Sequence, residues 1–98
     1  MIQVKVRSDS VTVTGHARHA PPGQDIVCAA VSALTQTLAA SMQALTGVKL
    51  NTDITTGHNA RFFMSWSAPE DKASLLVDAF FIGISGIATA YPECVKFI

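Results

Sequence analysis

The sequence predicts a two-layer α/β sandwich in the order β-β-α-β-β-α-β: a sheet of about five strands with two helices packed on one face. Three observations carry this. Apolar and polar residues alternate at the start and in the middle of the chain, as half-buried strands require. Two long segments instead repeat apolar residues every three or four positions, the helical period. Ninety-eight residues are enough for one core but not for a second lobe, so residues 1–98 read as a single domain.

Taken in order, Ile2, Val4 and Val6 alternate with Gln3, Lys5 and Arg7. Ser8-Asp9-Ser10 supplies turn chemistry, and Val11 and Val13 resume the alternation, which predicts a hairpin. His16 to Gln24 has no period and holds Pro21, Pro22 and Gly23, the composition of an irregular loop. From Asp25 onward Val27, Val31, Leu34, Leu38, Met42 and Leu45 mark one helix face, with Gly47 as the expected stop. Val48 to Thr56 and Arg61 to Ser67 read as two strands around a Gly57-His58-Asn59 turn. Ser67 and Glu70 flank Pro69 as a capping box, predicting that the second helix starts there. Its apolar positions, from Leu76 to Tyr91, are too many for one narrow stripe, so part of it is expected to face a partner. Gly83 and Gly86 would let it approach the alanines of the first helix. After Pro92, Cys94 to Ile98 reads as a last strand.

The chain is 49% hydrophobic and only 14% charged, against roughly 25% charged in ordinary soluble proteins. Seven basic and seven acidic residues cancel. No basic run or aromatic-basic strip is present, which argues against direct nucleic-acid binding and membrane-surface attraction. The longest apolar run, Ala79 to Ile84, is far short of the roughly 20 residues of a bilayer span. No signal peptide pattern precedes the two cysteines, which reads as a reduced, cytoplasmic protein.

Chemistry concentrates around Cys28. With Asp25 as N-cap, Cys28 is the third helical residue, where unpaired backbone N–H groups and the helix dipole favour a thiolate. His16, at a strand end twelve residues earlier, can fold back as general base. Asp25 has two compatible readings, a helix cap or an orienter of the imidazole. Ser32, one turn beyond Cys28, either serves the sulfur or substrate or bonds back to the Cys28 carbonyl. Amides of the first helical turn, that of Cys28 included, are candidate oxyanion donors. Gly15 and Gly23 would let the chain bend around a substrate, and the 16–24 loop could order as substrate binds. On residue types alone, Cys28 followed by two alanines reads more often as core filling than as a nucleophile, and His19, His58 and Cys94 as surface or packing residues. A zinc site from His16, His19 and Cys28 would need His58 to complete it, so neither metal nor cofactor is expected.

The run GHARHAPPGQDIVCAAVSALTQ, Gly15 to Gln36, resembles the bacterial ribosomal-processing cysteine protease (Prp) family. Gly-His-Ala, Gly-x-Asp-Ile-Val-Cys-Ala and a serine four residues after the cysteine carry the resemblance. It implies a homodimeric endopeptidase that removes an N-terminal extension from a large-subunit ribosomal protein, cutting after an aromatic residue. By position it implies Cys28 as nucleophile, His16 as base, and Asp25 and Ser32 as supporting residues. Two rival readings are a non-enzymatic ribosome-associated binding module and a redox sensor pairing Cys28 with Cys94.

Overall fold

The computed structural model describes residues 1–21, 23–67 and 70–98. Its elements follow the predicted order: β1 (Ile2–Val6), β2 (Ser10–Thr14), α1 (Ile26–Leu45), β3 (Leu50–Thr55), β4 (Arg61–Trp66), α2 (Asp71–Ala90) and β5 (Val95–Phe97). The five strands form one sheet in the order β3-β4-β2-β1-β5. All neighbours are antiparallel except β1 and β5, which run parallel with Ile2 opposite Val95 and Val4 opposite Phe97.

Strand register sorts side chains by face, because successive residues point to opposite sides of the pleat. Val4 lies opposite Val13, Val11 opposite Met64 and Val13 opposite Phe62. These residues, with Ile2, Trp66 and Val95, therefore share one face, and most of them are buried. Val27, Val31, Leu38 and Met42 of α1 and Ala73, Val77, Phe80 and Ile84 of α2 join them in a single apolar cluster. Both helices consequently sit on that face. The other face carries Gln3, Lys5, Thr12, Ser65 and Lys96, polar residues that need no cover.

Both helices are long and apolar enough, by length and composition alone, to cross a bilayer. In the fold each instead contributes one face to the shared core.

Three local expectations need correction. Helix α2 is capped by Glu70 itself, whose carboxylate accepts from the amides of Lys72 and Ala73 at 2.9 and 3.2 Å. The helix thus starts at Asp71, three residues later than a Ser67 cap requires, and the Pro69 of that expected box lies outside the described residues. Helix α1 ends at Leu45 with Thr46, not Gly47, as its cap. The Thr46 amide and hydroxyl both donate to the Met42 carbonyl, satisfying an end group that a left-handed glycine would otherwise serve. Gly83 meets Leu34 rather than an alanine: a Cβ there would lie 3.0 Å from Leu34 Cδ1, whereas a Cβ at Gly86 would meet nothing within 4 Å.

Ile84 is fully buried where α2 meets the common core. Ile84→Ala is expected to lower unfolding free energy by about 3 kcal/mol, the range of buried large-to-small changes. Urea denaturation of wild type and variant checks it.

Candidate active site

The end of β2, the start of α1 and the β3–β4 turn converge at one corner of the sandwich. Asp25 organises it. One carboxylate oxygen accepts from the amides of Val27 and Cys28 at 2.9 and 3.0 Å, and the other from those of His19 and Ala20 at 2.9 and 3.3 Å. The first pair caps α1 and the second fastens the preceding loop to the same side chain. Partial burial pushes this carboxyl up, but the four amide donors outweigh it, lowering its pKa from 3.8 to about 2. Between its two readings Asp25 is therefore the cap. None of its partners is His16.

This also occupies the Cys28 amide among the expected oxyanion donors. The Cys28 amide is bound by Asp25, as is that of Val27, and the Ala29 amide donates to the Asp25 carbonyl at 3.1 Å. The N–H that does face the sulfur comes from the loop: Ala17 N donates to Cys28 Sγ at 3.3 Å. Cys28 thus sits in the first turn of α1 with a backbone donor on its sulfur.

His16 leaves β2 through Gly15, whose φ of +89° falls in the left-handed region. Gly15 has no room for a side chain, because a Cβ would run into the Met1 carbonyl oxygen. The Met1 amino group donates to the His16 carbonyl, so the N-terminal strand and the His16 segment hold each other. At its far end the ring places Nε2 2.7 Å from the carbonyl oxygen of Gly57, in the β3–β4 turn. Farther along the loop, the His19 ring meets Tyr91, the C-cap of α2, edge-on with centroids 5.2 Å apart.

Two adjoining cavities open here, and His16, Cys28, Ser32 and Gly57 line both. The first, about 470 Å³, is a mostly apolar groove between α1 and the β3–β4 edge, walled by Val13, Val31, Ala39, Ile54 and Phe62, with Gly15 at its end. The second, about 690 Å³, lies under the loop and adds Arg18, Gly23, Asp25 and His58. All six residues singled out in the sequence thus border one or the other of these adjoining cavities. Ser32 is exposed there, and among the described residues no hydrogen bond joins its hydroxyl to Cys28 Sγ or to the Cys28 carbonyl. Cys94 is free, buried beside β5 and absent from both linings, away from Cys28. Among the described residues no group of three or more His, Cys, Asp or Glu side chains could hold a metal ion.

Sequence reasoning missed the apolar groove and the role of the β3–β4 turn. Ile54 and Phe62 read there only as strand residues, and Gly57-His58 only as a hairpin turn. A carbonyl contact carries no residue-type signature. Chemically, a thiol with a backbone donor, a neighbouring imidazole and an extended apolar cleft suit nucleophilic attack on a peptide carbonyl.

The family model described as cysteine protease Prp matches residues 1–96. Among solved structures, SMU.848 from Streptococcus mutans is 32% identical with a TM-score of 0.81, the match covering 99% of this chain and 91% of that one. The essential ribosomal processing protease Prp from S. aureus, in complex with a covalently linked product peptide, is 24% identical with a TM-score of 0.87, over 98% and 94% of the two chains. The same S. aureus protease with a substrate peptide aligns at 22% identity and a TM-score of 0.81, over 99% and 95%. No curated protein sequence matches significantly.

The depressed Asp25 carboxyl sets an acid limit. A group whose folded pKa is lowered stabilises the fold above its unfolded value, here 3.8, and loses that contribution as pH falls toward about 2. Amide protection factors at His19, Ala20, Val27 and Cys28 are expected to fall across that window in wild type, and to be low throughout it in Asp25→Ala.

Proposed function

The chain belongs to the cysteine protease Prp family, and we propose that in it Cys28 is the nucleophile and His16 the general base of an endopeptidase that trims ribosomal protein. A cysteine protease that processes ribosomal protein is the family's activity. The observation that carries the residue assignment is the juxtaposition of Cys28, on the amide of Ala17 at the start of α1, with His16 on the rim of the same apolar groove.

In this reading the imidazole takes the thiol proton as Sγ attacks the scissile carbonyl carbon. The tetrahedral intermediate collapses to a thioester, and the imidazolium gives its proton to the departing amine. Water, deprotonated by the same imidazole, then hydrolyses the thioester and restores the thiol. The Ala17 amide, 3.3 Å from Sγ, is released from the sulfur as the new S–C bond forms and becomes available to the adjacent oxyanion. It replaces the helix amides that Asp25 occupies.

The proposed substrate is the N-terminal extension of a large-subunit ribosomal protein, cut after an aromatic residue in the cytoplasm. An extended, apolar groove beside the nucleophile supports this, since Val31, Ile54 and Phe62 offer an aromatic side chain a matching surface. Ser32 and Gly23 border the path of the peptide, and Gly15 sets the turn that delivers His16.

A homodimer belongs to the same proposal. Leu75 and Ile82, two turns apart on α2, are 69% and 71% exposed, with Phe81 at 44% beside them. A second copy packed on this face would cover the apolar stripe that is left outside the core.

Two measurements test these assignments. Incubation with the extended ribosomal protein should give one cleavage in wild type by mass spectrometry, with a loss of at least about 10³-fold in Cys28→Ala and about 10²-fold or more in His16→Ala. Cys94→Ser should cleave normally. Intact substrate with folded, reduced wild type would reject the assignment. For the dimer, light scattering should show twice the chain mass in wild type and a shift to monomer in Ile82→Asp. An unshifted mass would place the interface elsewhere.

A further inference from the structure

The contact between His16 and the β3–β4 turn settles more than the ring's position. Nε2 lies 2.7 Å from the Gly57 carbonyl oxygen. A carbonyl oxygen only accepts, so Nε2 must carry a hydrogen. A neutral imidazole has one N–H, which leaves the lone pair on Nδ1. We propose that the Gly57 carbonyl is the group that orients His16, holding it as the Nε2–H tautomer so that Nδ1 receives the Cys28 proton. The proposal rests on the reading of His16 as the base.

The usual alternative, a carboxylate behind the imidazole, is not built here. Asp25, the acidic residue that shares a cavity lining with His16, is committed to four backbone amides. The turn, by contrast, is tied to the His16 segment twice. Besides the ring contact, the Gly15 amide donates to the Ala60 carbonyl at 3.1 Å. The end of β2 and the turn thereby bracket the histidine. The turn is in turn set by the β3–β4 ladder, whose final pair is Thr55 opposite Arg61. Gly57 itself has φ of +91°, a backbone conformation that L side chains rarely adopt, so the direction of its carbonyl depends on that residue remaining glycine.

The proton balance follows. The thiol hydrogen moves to Nδ1 as Sγ attacks, giving an imidazolium whose Nε2–H still bonds to Gly57. Nδ1 then returns that proton to the departing amine nitrogen, and the neutral Nε2–H tautomer is restored. Nε2 keeps its hydrogen throughout, so Gly57 is a positioning residue and takes no part in bond making.

Long-range proton–nitrogen NMR of nitrogen-15 histidine-labelled protein tests the tautomer directly, in alkaline buffer where the rings are neutral. A His16→Gln sample identifies the resonances. The expected result is a pyrrole-type Nε2 and a pyridine-type Nδ1 for His16, and the reverse would overturn the proposal. A second sample, made by chemical synthesis, replaces the Gly57–His58 amide by an ester. This weakens the carbonyl as acceptor without adding a side chain, and circular dichroism confirms its fold. There the Nε2–H share should fall, and kcat should drop about fivefold, the worth of one weakened hydrogen bond, with KM near the wild-type value. A tautomer balance unchanged from the amide would also overturn it. The tautomer measurement needs no substrate, so a failure to cleave ribosomal protein would count against the proposed function and leave this result standing.

Discussion

Everything at the working corner of this fold depends on where one carboxylate spends its lone pairs. Asp25 collects amides from both sides: Val27 and Cys28 from the first turn of α1, His19 and Ala20 from the loop that leads into it. A helix terminus leaves its first N–H groups without partners, and an acidic cap is the usual remedy. Here the same side chain also prevents the loop from swinging away from the helix. The loop begins at His16, and its Ala17 amide reaches the sulfur. Cap, loop and thiol are thus one unit, and the low pKa of Asp25 is the electrostatic mark of that arrangement.

Around this unit the polar contacts come mainly from the backbone. The sulfur is held by a main-chain amide, the imidazole by a main-chain carbonyl, and the His16 carbonyl by the amino group of Met1. Main-chain groups sit at positions the sheet determines and lose no side-chain entropy when they are ordered. Three side chains, Asp25, Cys28 and His16, are then enough to make the polar contacts of this corner.

That economy explains how much could be read from the sequence. The order of elements was legible because every element has a clear period: alternation in Ile2 to Val13 and in Phe62 to Trp66, and three-to-four spacing in Val27 to Met42. The N-cap of α1 was legible for a similar reason, since Asp before an apolar helical run has one dominant use. The start of α2 was misread because Ser67 and Glu70 both suit a cap, and spacing alone cannot say which is the cap and which the third helical residue. Only the observed bonds to Lys72 and Ala73 decide for Glu70. Cys28 and His16 were visible through a linear motif. Gly57 was not, because what it offers is an oxygen that every residue possesses, brought close across forty-one positions of chain by the β3–β4 turn.

The parallel pairing of β1 with β5 bears on when such a site can exist. Ile2 donates to the carbonyl of Cys94, and Ile98 donates to that of Val4, so β1 acquires its second neighbour from the opposite end of the chain. Met1, which braces Gly15 and His16, hangs from that same strand. Contacts spanning nearly the whole length are slow to form and close last. During synthesis, the early hairpin and α1 emerge long before the strand that completes their sheet. The thiol and the imidazole are therefore translated early, while the strand that carries Met1 gains its second neighbour only once β5 has been made.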